Sequence, residues 1–188
     1  MAELRIAHTG ELDADTRAAI RRLLDGAFAG FGDDAFENAL GGMHVLVTDG
    51  GKGEQGGKGG QGGELIGHAS LVARRLLHRG RALRTGYVEG VAVRADRRRR
   101  GHGDAMMSVL ERLVREGYQL GALGASPDGA RLYTARGWHR WQGRSSVLSP
   151  AGIRHTPRSD GHIYVLPVTG RLDLSGELTC DWRHGSPW

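Results

Sequence analysis

The sequence is short of several things, and each shortage removes a class of protein. Only one cysteine, Cys180, occurs in 188 residues, so no internal disulfide can form, and no Cys/His pair stands at zinc-ligand spacing. Neither a bridged scaffold nor a zinc fold is open to it. No apolar run approaches the roughly 18 residues of a membrane helix, and residues 1–10 lack the basic start, apolar core and small-residue cleavage site of a secretion signal. The expectation is a soluble, cytoplasmic protein with no membrane contact. Lysine is nearly absent, occurring only at positions 52 and 58, so the 26 basic residues that outweigh 21 acidic ones are almost all arginine. A net charge of +5 suits nucleic acid or phosphate and does not choose between them. The length and a 39% hydrophobic content fit a single domain over residues 1–188.

Residues 50–63, GGKGEQGGKGGQGG, hold nine glycines in fourteen positions and no apolar side chain. Such a segment cannot offset its own ordering entropy, so a flexible loop insert is expected there. The strand-like runs on either side, 44–48 and 64–72, read as a hairpin around it. Earlier, Ile20, Leu23, Leu24, Ala27 and Phe28 share one helical face, with Asp13 or Asp15 placed as a cap. A short helix is expected over 33–40. Two long strands follow, 65–78 and 82–93, joined at Arg79-Gly80-Arg81. After Gly103 comes the strongest helix, with Met106, Val109, Leu110, Leu113 and Val114 on one face and Gly117 at its end. A strand is expected over 118–123, then a helix capped by Ser126-Pro127 and closed by Gly137, then strands. This order predicts α+β or mixed α/β architecture with a central sheet.

The chemistry concentrates in residues 87–103, YVEGVAVRADRRRRGHG. There an apolar strand runs into arginines and glycines and then a helix. Arg98, Gly101 and Gly103 fit R-x-x-G-x-G, and Arg97 to Arg100 add cationic reach. Glycines at a strand-to-helix turn admit close backbone approach, and helix-start amides favour an anion. A phosphate seat is one reading; a solvated arginine face or a nucleic-acid patch is the other. Glu89 is a carboxylate in an otherwise apolar strand, a costly placement unless it handles a proton or pairs with a cation. The nine histidines include no H-E-x-x-H pair, so no metal site is expected, and they read as scattered surface residues. The tryptophans at 138, 141, 182 and 188 are expected mostly in a core or a dimer interface.

The strand V-E-G-V-A-V-R, the R-x-x-G-x-G turn, the helix after it and A-R-L-Y-x-x-R-G-W at 130–138 resemble the acetyl-CoA-dependent N-acetyltransferases of the GNAT superfamily. The likeness extends to A-F-A-G at 27–30, L-G-G-M-H at 40–44, Y-Q-L-G-A-L at 118–123 and C-D-W-R at 180–183, which resemble the aminoglycoside 2'-N-acetyltransferases of mycobacteria. The resemblance implies a GNAT fold, a mixed sheet with flanking helices and a bulged strand at the acetyl-CoA site, and a homodimer. It implies that Val91, Ala92 and Val93 bind acetyl-CoA through the main chain. Arg98, Arg99, Arg100, Gly101, His102 and Gly103 would take its pyrophosphate. The Val91 amide would polarise the thioester carbonyl. Transfer needs one proton removed from the amine and one returned to the thiolate, which gives Glu89 as general base through water and Tyr133 as general acid. A polycationic acceptor calls for carboxylates. The implied acceptor residues are Asp33, Asp34, Glu37, Glu89, Gly90, Gly124, Ser159, Asp160, Asp181, Ser186 and the terminal carboxylate of Trp188. Relatives close in G-D-V-W where this chain has Gly185-Ser186-Pro187-Trp188. That change keeps open another amine, such as a polyamine, peptide or cell-wall precursor, as acceptor. A non-catalytic nucleic-acid-binding module is the remaining alternative. Cys180 has no base partner in sequence, so direct transfer without a covalent intermediate is expected.

Overall fold

The computed structural model describes residues 2–50 and 63–188; the expected flexible insert lies almost wholly outside them. The chain gathers into two compact units, one of residues 1–70 and 90–110, the other of residues 71–89 and 111–188. Among the described residues no helix is long and apolar enough to cross a membrane.

In the first unit β1 (Ala2–His8) runs antiparallel to β2 (Met43–Asp49), which in turn pairs with β3 (Glu64–His78). β1 was not expected, and its composition explains why. Only Ala7 is buried, while Leu4 and Ile6 are 38% and 37% exposed, so backbone pairing holds the strand and leaves no alternating apolar pattern to read. Helix α1 (Ala14–Ala27) starts where the Asp13 carboxylate accepts the Thr16 N–H at 2.8 Å. It buries Ile20, Leu23 and Leu24 against Leu12, Leu46 and Ala92. The short helix α2 (Asp33–Asn38) follows.

β3 turns into β4 (Arg81–Val93) through Arg79 and Gly80, both at positive φ (50° and 73°). Two successive left-handed residues make the tight hairpin turn whose twist matches the flanking strands. Helix α3 (His102–Gly117) follows, then β5 (Leu120–Gly124), helix α4 (Pro127–Ala135), β6 (His139–Arg140), β7 (Ser145–Ser149), β8 (Gly152–His155), β9 (Ile163–Pro167) and β10 (Leu178–Asp181). In the second unit β5 lies parallel to β4 and antiparallel to β9, while β10 lies antiparallel to β3 and parallel to β7. The mixed sheet is as expected. Its core packs Leu76, Tyr87, Leu120, Trp141, Val165 and Leu178, with Trp188 against them. Trp138 and Trp141 are buried, whereas Trp182 is 46% exposed.

α4 carries Tyr133, and its ends are set by local chemistry. The Ser126 hydroxyl accepts the Gly129 N–H and Pro127 opens the first turn. Beyond its end, Gly137 at φ +82° lets the Trp138 N–H return to the Tyr133 carbonyl at 3.0 Å. The buried Glu111 of α3 then fixes the helix. Its carboxylate takes Arg136 Nε and Nη2 at 2.7 and 2.9 Å and the Trp138 indole N–H at 2.9 Å.

Candidate active site

The paired run of β4 with β5 ends at Val88 opposite Leu123. Gly90 then takes φ +55°, a value that costs a residue with a side chain about 1–2 kcal/mol. The strand therefore changes direction between Glu89 and Val91. The residues after it belong to the first unit. There the Arg98 Nε donates to the Val93 carbonyl at 3.1 Å, while its exposed guanidinium stays at the surface. Arg99 (φ 57°) and Gly101 (φ 80°) turn the chain, and the Ala105 N–H bonds the Gly101 carbonyl, so α3 begins with Gly101 as its cap. The N–H groups of His102, Gly103 and Asp104 lie in the first turn, where the four leading amides of a helix have no intrahelical acceptor. Arg99 and Arg100 are exposed.

Arg97 departs from the expected role. It is held by Asp49 (Nη2–Oδ2 2.7 Å) and Asp96, so it ties the turn to β2. Arg94 is likewise occupied by Asp96 and Glu64. Beside Val93 and Arg98 opens a cavity of about 290 Å³ bordered by Leu23, Gly26, Leu65 and Arg94. A glycine turn, leading helix amides, three exposed arginines and an adjacent groove fit an extended phosphate-bearing ligand such as acetyl-CoA.

In the second unit Glu89 is the central carboxylate. Its side chain is 18% exposed and pairs with the Arg183 guanidinium. Burial pushes its pKa up; the charge and hydrogen bond of Arg183, and then the charge of Arg74, work against that rise. Two residues back, Tyr87 lies with the Arg74 and Arg183 guanidinium carbons 4.7 and 5.4 Å from its ring centre. Among the described residues its buried hydroxyl has no hydrogen-bond partner. A Cβ built on Gly124 would stand 3.6 Å from that hydroxyl and 3.7 Å from the Trp188 backbone carbonyl carbon. Arg74 binds the Asp181 carboxylate (2.8 Å), the Asp181 carbonyl (2.9 Å) and the Pro187 carbonyl (2.8 Å). The Ser186 hydroxyl donates to the Trp188 oxygen, and the Trp188 indole donates to Thr156, each at 2.9 Å. Arg74 and Arg183 thus hold the closing segment against β4. Sequence reading named neither, because nothing in local spacing marks an arginine whose carboxylate is 94 residues away.

Asp160 accepts from the Ser145 N–H and hydroxyl and pairs with His155, and Ser159 lies in the turn beside it. Asp33 pairs with Arg21, while Asp34 and Glu37 are exposed. Tyr133 is buried, 6.2 and 6.3 Å ring to ring from Trp138 and Tyr164, and burial pushes its phenol up to about 12. Cys180 is buried, its thiol donates to the Pro187 carbonyl, and burial pushes it up to about 11. A thiol so protonated is a poor nucleophile. The histidines correct the surface reading, since His44, His68 and His78 are buried. Among the described residues no cluster could hold a metal ion.

A mixed sheet, a strand that turns aside at Gly90 and an arginine-glycine helix start after it define an acetyltransferase of the GNAT class. The family model described as "Acetyltransferase (GNAT) domain" matches residues 14–140, and the chain belongs to that family. It is 47% identical, over 98% of its length and 91% of the relative's, to an "Aminoglycoside 2'-N-acetyltransferase" of Mycolicibacterium fortuitum. Among solved structures it resembles the GNAT family N-acetyltransferase YhbS of Escherichia coli in complex with CoA (TM-score 0.60, 17% identity, 95% of this chain and 89% of that one). It also resembles Eis1 of Mycobacterium abscessus (TM-score 0.57, 20% identity, 78% of this chain), spanning 33% of that longer chain.

Proposed function

We propose that the chain is an acetyl-CoA-dependent aminoglycoside 2'-N-acetyltransferase that confers aminoglycoside resistance. The observation that carries this is the 47% identity with the M. fortuitum enzyme across 98% of the chain. The arginine-glycine turn then serves the cofactor's phosphates rather than nucleic acid. The amides of 99–103 and the guanidinium groups of Arg98 to Arg100 hold the pyrophosphate, Val91 and Val93 hold the pantetheine arm through the main chain, and the Val91 N–H polarises the thioester carbonyl. Glu89 takes a proton from the acceptor ammonium through water, with the Gly90 carbonyl beside it in sequence receiving an amine N–H. Burial of Glu89, which raises its proton affinity, supports that role. The amine nitrogen bonds the acetyl carbon and the carbon–sulfur bond breaks as the Tyr133 phenol donates to the departing sulfur; the second proton that the acylated nitrogen must lose then restores the phenol. The high thiol pKa of Cys180 supports direct transfer. On this reading residues 1–188 are one catalytic domain, working as a cytoplasmic homodimer.

A second reading keeps the chemistry and changes the acceptor. Asp33, Asp160 and Asp181 each already pair with a cationic or histidine side chain, and Ser186 stands where the resemblance calls for an acid. These favour a smaller or less cationic amine. Thiol release from acetyl-CoA, measured with aminoglycosides bearing either an amine or a hydroxyl at the 2' position, separates the two. Turnover confined to the 2'-amino members supports the first reading; equal turnover of both sets, or none, refutes it.

A further inference from the structure

We infer that a buried hydrogen-bonded chain, Thr9 to His44 to His68, aims the Gly90 carbonyl and thereby sets the direction in which an acceptor amine is held. The inference rests on the acceptor role given to Gly90 above. Every link lies within the first unit. Thr9 Oγ1 is 2.7 Å from His44 Nε2, His44 Nδ1 is 2.9 Å from His68 Nε2, and His68 Nδ1 is 2.8 Å from the Gly90 oxygen.

Both ends of the chain impose the same proton order. The Gly90 carbonyl can only accept, so His68 Nδ1 carries a proton, and in the neutral ring Nε2 is bare. That bare nitrogen must be met by a protonated His44 Nδ1, which leaves His44 Nε2 bare in turn. At the other end Thr9 Oγ1 accepts the N–H groups of Gly41 and Gly42 at 2.8 and 3.2 Å. Its own proton therefore points outward. Two acceptors stand within reach of that proton, the Gly42 carbonyl at 3.2 Å and the bare His44 Nε2 at 2.7 Å, and the shorter contact takes it. The two rings sit at 0% exposure, where uncompensated charge is costly. Burial holds both neutral.

Two imidazoles in core positions do nothing for packing that apolar side chains would not do. What the chain adds is direction. It ends on the carbonyl of the one β4 residue with positive φ, immediately after Glu89. A Cβ there would stand 3.3 Å from the His68 ring and from Leu24, so His68 packs against Gly90 as well as bonding to it. A carbonyl oxygen has two lone pairs, and a donor fixed on one sets where the other points. His44 and His68 are thus positioning residues.

The test uses the whole chain and two variants that divide the ring's contacts. His68→Asn keeps a donor near the Nδ1 position and loses reach to His44; His68→Gln keeps reach to His44 and loses the donor to Gly90. With denaturation midpoints matched, His68→Gln should lower kcat/KM for a 2'-amino aminoglycoside by about tenfold to a hundredfold, as a displaced reactive group does. His68→Asn, which keeps the donor but frees it from His44, should lower kcat/KM less, by about threefold to tenfold, and KM for acetyl-CoA should be unchanged in both. Equal impairment, or none, in the two variants of a chain that turns over overturns this inference alone. No turnover by the unaltered chain overturns the functional reading and the acceptor half of this one with it. Ring-nitrogen NMR of the unliganded protein decides the hydrogen-bond order separately: both rings should carry the proton on Nδ1, and a protonated Nε2 on either ring refutes the chain.

Discussion

Acidification from about pH 7.5 to 5.5 should cost the folded protein roughly 3 kcal/mol through His44 and His68. Burial, with the charges of His8 and Arg17, lowers the His44 pKa from 6.5 to about 4, and burial lowers that of His68 to about 3. The folded rings therefore stay neutral through this window while the unfolded rings gain a proton. Because the unfolded state binds more protons, stability is complete above the unfolded value of 6.5 and falls as the pH drops towards the folded values. At one unit below the unfolded value each ring contributes a loss of about 1.4 kcal/mol. For a chain of this length the pair should lower the thermal midpoint by about 6–12 °C. Glu89 acts in the opposite sense, since burial favours its protonated form. The carboxylates with lowered values, Asp13, Asp49, Asp96, Asp160 and Asp173, begin to weaken the fold only near and below their ordinary range. Urea melts at stepped pH would give the slope, and His68→Asn should remove about half of it. Equal stability at both pH values, or ring signals that titrate near 6.5 in the folded protein, would refute the assignment of these rings as buried and neutral.

Three further outcomes are expected. Arg183→Gln removes the largest influence that opposes burial at Glu89, so the carboxyl pKa should rise further and the acidic limb of the kcat/KM profile should move to higher pH; an unmoved limb would remove Glu89 as the titrating base. Glu111→Ala leaves the Arg136 guanidinium and the Trp138 indole without their carboxylate, and breaking such a buried pair should cost about 3–5 kcal/mol in a denaturant melt. Arg98→Ala should weaken acetyl-CoA binding by about 1.5–3 kcal/mol, read by calorimetry, with the fold intact; unchanged affinity would remove Arg98 from the phosphate seat.

What the sequence made legible and what it hid divide along the distance over which each feature is specified. α1 and α4 could be read because their caps, Asp13 and Ser126, lie within three residues of the amides they satisfy. The β3–β4 hairpin could be read because Arg79-Gly80 is itself the turn. Glu89 stood out because a carboxylate in an apolar strand contradicts its neighbours. Glu111 did not, since Arg112, Arg115 and Glu116 around it make the same stretch read as a solvated face, although it is buried. The histidine pair was hidden for a different reason. His44 and His68 lie on different strands, 24 residues apart, and no local rule joins them.

The same division decides which part of the site sequence alone can describe. The turn proposed for the cofactor's phosphates is continuous from Arg98 to Gly103, so spacing alone carries its reading. The carboxylate is not self-sufficient. Burial alone raises the proton affinity of Glu89, and the cations that oppose it, Arg183 and Arg74, come from the closing segment and from β3. Arg74 also ties that closing segment down through Asp181 and Pro187. Residues 181–188 thus act on Glu89 whatever acceptor binds. A substitution there that loosens the Arg74 clamp should disturb Arg183 with it, and the proton affinity of Glu89 should respond without any change on β4 itself. Ser186, an acceptor residue on the proposed reading, belongs to the segment that also acts on Glu89, and on that reading changes in acceptor preference and in pH dependence should arise together from substitutions in it.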